Sequence, residues 1–423
     1  TGGPRNRLCQ WNFSDDGVHP VGAIVASVRF RSRPGTMNRM HGMSTNSGDS
    51  PDITSSRRTL SQSSLLDAAN GATPHHQPVW FMRQAGRSLP EYRKLRENIG
   101  MLEACFTPDA AAEITLQPVR RHNVDAAIFF SDIVVPLKAA GIGVEIVAGR
   151  GPVVDRPIRS RADIDSLPEL DPDSISVIGE AVREIIGELR DDQALIGFAG
   201  APFTIASYLI EGGPSKTHQH TKAMMHADPD SWHALMRVLT DYVKVFLGVQ
   251  IDAGIDAMQL FDSWAGYLHA RDYTDLVAPY SAEIFRFVSE RSSRGGRRPI
   301  PRIHFGVTTG ELLGPMAQTG PDVMGVDWRV DMATAAQRIN VALADKNGDT
   351  GPGELALQGN IDPALLFAGK EAVDKEIDQL LTTTDQLISE GKISGHIVNL
   401  GHGVLADTDP DIISHIVEKV HSW

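Results

Sequence analysis

Eight short apolar runs recur between residues 79 and 401, each ending in polar or glycine-bearing residues and followed by a stretch with helical period. They are VWFM (79–82), AAIFF (126–130), ALIGFAG (194–200), DAMQLFD (256–262), RIHFGV (302–307), VMGVDW (323–328), LALQGN (355–360) and HIVNLG (396–401). Most lack polar alternation, as parallel strands covered on both faces do. Between them, Val177, Ile178, Ala181, Val182, Ile185, Ile186 and Leu189 fall on one helical stripe. Helix starts are marked by a capping residue before proline at Thr107-Pro108, Asp171-Pro172, Asp228-Pro229, Asp362-Pro363 and Asp409-Pro410. A hairpin-like insert, GVEIVAGRGPVV, interrupts the second unit.

Strand-helix alternation repeated eight times predicts a single-domain α/β fold, a (β/α)8 TIM barrel over residues 56–423. An open doubly wound sheet is the alternative, but the first turn, RQAGRS, lacks its G-x-G-x-x-G pattern. Residues 1–55 show no sustained period and are rich in Ser, Asn and Gly. They read as a disordered or non-native N-terminal extension, with a transit peptide disfavoured by Asp15 and Asp16.

Forty Lys and Arg against 53 Asp and Glu give a net charge of −13 in 423 residues. That argues against a nucleic-acid partner and for a soluble, cytoplasmic protein. No apolar run is long enough to span a membrane. Two cysteines, Cys9 and Cys105, provide neither a disulfide framework nor a cysteine zinc site.

In a barrel, chemistry gathers at the carboxyl ends of the strands. Those ends carry Arg83-Gln84-Ala85-Gly86-Arg87, Ser131-Asp132, GAPFT, FDSWAG, GVTTG, DWR, GNIDP and NLGHG. Arginine is costly to bury, and its planar fork suits carboxylate or phosphate, although two arginines on a turn can also be solvated surface charge. Asp132 sits in an apolar stretch where it is either a helix cap or a desolvated functional carboxylate. His402, between Gly401 and Gly403, is either a turn histidine or a ligand contact that the glycines leave room for. Tyr208 reads as a core tyrosine, and His218 and His220 as loop residues without the companions a metal would need.

PVWFMRQAGRSLPEYR and IGFAGAPFTIASYLIEGG resemble the two hallmark motifs of the uroporphyrinogen decarboxylase family. FFSDIVVPL, QLFDSWAG, ALQGNIDP and NLGHGV resemble that family too, in order, and the likeness runs from about residue 57 to Trp423. The resemblance implies a (β/α)8 homodimer that uses neither cofactor nor metal. It implies removal of carbon dioxide from the four acetate side chains of uroporphyrinogen III, giving coproporphyrinogen III. It also implies that Arg83, Gln84, Ala85, Gly86 and Arg87 contact substrate carboxylates with help from Arg96. Asp132 would meet the pyrrole N–H groups, and Tyr208, Ser263 and His402 would complete the contacts. Asp132 would be the central catalytic group and Arg83 a candidate proton donor. Two alternatives are a metal-dependent hydrolase on the same barrel, for which only His304 and His402 are strand-associated, and a non-catalytic tetrapyrrole carrier.

Overall fold

The computed structural model describes residues 57–347 and 353–423, so the N-terminal extension lies outside the described residues. The main sheet is parallel, with seven strands: β1 (Ala126–Ile128), β4 (Ala194–Gly200), β5 (Ala257–Phe261), β6 (Arg302–Phe305), β7 (Val323–Gly325), β8 (Ala356–Gln358) and β9 (His396–Ile397). Each pairs with the next in chain order. The hairpin insert is present as β2 (Val144–Val147) and β3 (Gly151–Val154), paired antiparallel with Val144 opposite Val154.

The first apolar run departs from expectation. It joins its neighbours without forming a ladder strand: Val79 bridges Val398, and Val79 O accepts from Asp125 N–H at 3.0 Å. Beyond Trp80 the chain turns, and side-chain amides replace strand partners. Phe81 N–H donates to Gln84 Oε1 at 2.9 Å and Met82 N–H to Asn399 Oδ1 at 3.1 Å. A ladder cannot continue where the backbone donors are already taken.

The helices between strands cover the sheet. Helix Pro229–Ala253 starts on Asp228, whose carboxylate accepts from Ser231 N–H, with Pro229 at the first turn, and ends at Gly254 with φ +111°. It buries Trp232, Leu235, Leu239, Phe246 and Leu247 against the sheet side of the molecule. Truncating one such side chain to Ala costs about 2–5 kcal/mol. Its Gln250 amide donates to Phe198 O and accepts from Phe198 N–H, fastening the helix to β4. Thr107 departs from the capping expectation: its hydroxyl donates back to Glu103 O, and only its proline partner marks the helix start. No helix among the described residues is long and apolar enough to cross a membrane.

Candidate active site

The residues that follow the carboxyl ends of β1, β4, β5, β7 and β9 supply Asp132, Tyr208, Ser263, Arg329 and His402 in turn. Arg83 to Arg87 follow the run that bridges Val398 next to β9. All of these lie beyond the carboxyl end of the run they follow, and Arg96 caps the end of helix Pro90–Leu95.

Arg83 adopts φ +61°, a left-handed conformation that costs a side-chain-bearing residue roughly 1–3 kcal/mol. Gln84 holds it there. Its N–H donates to Phe81 O at 3.0 Å, its amide oxygen accepts from Phe81 N–H, and its amide nitrogen donates to Ala126 O at 2.9 Å. Gln84 is buried with both ends of its side chain engaged, so any contact it makes to a ligand is through backbone. Arg83 and Arg87 are exposed, and Ala85 and Gly86 half-buried. Among the described residues no acceptor takes the N–H groups of Ala85, Gly86 or Arg87. The loop thus presents free donors beside two guanidinium groups, which is what a carboxylate needs. Gly403 lies against Arg83, where a Cβ would collide with the arginine side chain.

Asp132 is half-buried, yet burial pushes its carboxyl above the ordinary aspartate value, opposed by the Val134 N–H and the Arg83 charge. The carboxyl therefore keeps some accessible surface in surroundings that disfavour its charged form. Its Oδ1 accepts from Val134 N–H at 3.0 Å, the local bond expected of a cap, and its Oδ2 has no protein donor among the described residues.

Tyr208, on helix Pro202–Glu211, is half-buried and feels the charges of both Asp132 and Arg83. Burial raises its hydroxyl pKa, and its ring meets Trp264 edge-on at 5.8 Å. His402 is half-buried, and burial together with Arg83 and Arg329 lowers its pKa. Its Nδ1 accepts from Gly403 N–H at 2.6 Å, leaving Nε2 free to donate. Asp132 and Arg96 both act on buried Cys105, whose thiol is pushed up by burial and by Asp132 and pulled back by Arg96. Arg96 also donates to Ile99 O at 2.8 Å and sits over the Tyr92 ring. Arg87 makes no side-chain hydrogen bond among the described residues, and half-buried Ser263 makes none either.

The HQH pair separates. His218 is buried among Phe203, Trp264 and Tyr267, while His220 is exposed near the start of helix Gln219–Ala227 instead of on a loop. Strand-borne His304 is buried, with Nδ1 at 3.2 Å from Thr319 Oγ1.

The match to known proteins is extensive. The family model described as uroporphyrinogen decarboxylase matches residues 60–423. The chain belongs to the uroporphyrinogen decarboxylase family. Among its relatives, the uroporphyrinogen decarboxylase of Corynebacterium glutamicum is 58% identical over 370 residues, 88% of this chain and 99% of that protein. That of Saccharopolyspora erythraea is 56% identical, covering 86% of this chain and 96% of the relative. A methyltransferase from Methanosarcina mazei shares the fold, with TM-score 0.67 at 16% identity over 86% of this chain and 99% of that one.

In this family member the DWR segment follows β7, and nothing in its sequence assigns Arg329 a role. The structure stacks the Arg329 guanidinium 3.7 Å over the Trp328 ring and pairs it with Asp327 at 3.0 Å. Trp328 packs edge-on to His402 at 6.0 Å, and Gly401 lies against the Trp328 backbone with no room for a Cβ. The DWR and NLGHG segments form one wall, carrying a cation that the composition of the motif alone did not single out. A hollow of about 320 Å³ opens beside Arg329, lined also by Asp327, Asp331 and Arg338. Asp132 does not line it, so it is an annex to the rim and not the seat of a macrocycle.

Proposed function

We propose that this chain decarboxylates the four acetate side chains of uroporphyrinogen III to methyl groups, releasing coproporphyrinogen III and four molecules of carbon dioxide in porphyrin biosynthesis. The observation that carries the chemistry is Asp132, a desolvated carboxylate with one free oxygen beside Arg83. Breaking the bond to carbon dioxide leaves an electron pair that needs a sink. Protonating a pyrrole ring carbon makes the ring cationic, and the electron pair then flows into it. The exocyclic carbon next takes a proton to become methyl, and the ring proton is lost, so each turn consumes one proton net. Asp132 accepts from the pyrrole N–H groups and stabilises the ring cation as it forms. No cofactor is required by this route. Arg83, or a water it holds, delivers the proton.

The substrate's eight carboxylates meet Arg83, Arg87, Arg96 and the backbone donors of Ala85 and Gly86, with Gln84 bracing the loop. Tyr208, Ser263 and His402 line the remaining edge, and Arg329 adds a cation beside His402. Residues 56–423 act as one closed barrel in which the bridged first run serves as the eighth stave. The family resemblance extends the reading to a cytoplasmic homodimer. The relatives are covered almost end to end by this segment, which supports assigning the activity to it and not to residues 1–55.

Incubation of the pure protein with reduced uroporphyrinogen III, followed by oxidation and chromatography, tests the proposal. The appearance of four-carboxyl porphyrin supports it. Unchanged eight-carboxyl porphyrin, with substrate bound, would leave only the carrier reading.

A further inference from the structure

We propose that His76, Asp125 and His421 form a structural site for a divalent transition-metal ion, with zinc the ion its donors suit, at the end of the sheet opposite Asp132. Asp125 immediately precedes β1, whereas Asp132 follows it, so the two carboxylates mark opposite ends of one strand. Asp125 Oδ1 lies 2.6 Å from His76 Nε2, and Oδ2 lies 2.9 Å from His421 Nε2. One donor atom from each residue falls within 4.8 Å of the other two. The two imidazole rings meet at 4.4 Å between centroids with an interplanar angle of 65°.

Two imidazole nitrogens and a carboxylate oxygen make the three-ligand set that zinc accepts with water in the fourth place. Nitrogen donors disfavour calcium and magnesium, which take oxygen. Asp125 is buried while the His76 and His421 side chains are 34% and 22% exposed, which gives an ion a path in and room for a water. The surroundings also orient the ligands. Val79 N–H donates to Asp125 Oδ2 at 2.7 Å, and His76 Nδ1 lies 3.5 Å from Ser64 Oγ. Such outer contacts fix carboxylate and ring directions at metal sites. The donors now stand at hydrogen-bond separation, so bonds of about 2.0–2.2 Å in a tetrahedral array need the rings to retreat by roughly half an ångström. His421 lies in the last turn of helix Pro410–His421 and His76 lies outside any helix or strand, so neither move disturbs a strand.

The ion would tie three segments at the place where the first apolar run meets its neighbours through one bridge and a few hydrogen bonds, with no ladder strand. Its role is to close the molecule, and it takes no part in decarboxylation.

The test uses the full chain, stripped with a chelator and dialysed, titrated with zinc by calorimetry and by competition with a chromogenic chelator, with thermal unfolding in parallel. One zinc per chain should bind, and the unfolding midpoint should rise with zinc concentration as binding to the native state requires. His76→Gln and His421→Gln keep a donor to Asp125 but remove the imidazole, so each should weaken binding at least about tenfold while the protein stays folded. His415→Gln, which alters a different histidine-aspartate pair with Asp374, should leave zinc binding unchanged. Absence of stoichiometric binding, or binding that survives both glutamine substitutions, would overturn the proposal and leave a hydrogen-bonded triad.

Discussion

Replacing Asp132 with Asn separates the contribution of charge from that of shape. The amide oxygen of Asn can still accept from Val134 N–H, the carboxylate's one protein hydrogen bond among the described residues, so the local turn is kept. Burial already disfavours the charged form of Asp132, so its folded-state pKa is raised. A raised carboxyl gives up stability as pH climbs through its folded-state value. At neutral pH the Asn variant should therefore be as stable as the parent or slightly more so, and the two should converge in acid. Turnover should move the other way. Losing one preorganised electrostatic partner of a developing charge typically costs about 10²–10³ in rate, or about 3–4 kcal/mol. Binding should weaken much less, because the amide oxygen still accepts a pyrrole N–H. Initial rates of carbon dioxide release, set beside urea unfolding, measure both arms. A folded variant within about threefold of parental turnover would refute the electrostatic role, since that is less than 1 kcal/mol.

Arg87→Ala should raise KM several-fold and leave the unfolding midpoint within a degree or two, because among the described residues the exposed side chain has no hydrogen-bond partner to lose. Arg329→Ala should raise KM and also lift the His402 pKa toward its ordinary value, read by NMR titration, since Arg329 is one of the charges that lowers it. His402→Asn should retain measurable turnover but release partly decarboxylated intermediates, and loss of the first step with tight binding intact would make it an essential acid instead. His122 and His396 are both buried and held neutral, their pKa values lowered from 6.5 to about 4, chiefly by burial. A depressed pKa contributes stability above the unfolded value and loses it as pH falls, so urea unfolding should weaken between about pH 6.5 and 4, by up to about 3 kcal/mol per histidine. His396→Gln should flatten that slope.

The sheet was legible because its strands are buried on both faces and read as unbroken apolar runs, as β4 does over Ala194–Gly200. The same signal overreached at Val79–Met82, since nothing in an apolar run announces that the Gln84 and Asn399 side chains will take its backbone donors. The aspartate-proline caps were readable from local chemistry and are seen at Asp228, Asp362 and Asp409, each accepting from a backbone N–H. Helix Gln219–Ala227 was hidden by its start, where His218 has a left-handed backbone and a buried ring. Arg83, Asp132 and His402 stood out as polar residues at strand ends. Arg329 did not, because its significance comes from stacking on Trp328 beside His402, a contact between segments about 70 positions apart in sequence. The N–H groups of Ala85 and Gly86, without an acceptor among the described residues, likewise belong to backbone geometry.

The most direct test of the account is the fate of solvent protons during turnover. In deuterated water, the pure protein should convert uroporphyrinogen III to coproporphyrinogen III with one deuteron in each of the four new methyl groups and four molecules of carbon dioxide released. Tight binding of the macrocycle with no carbon dioxide released, or methyl groups formed without solvent deuterium, would contradict it.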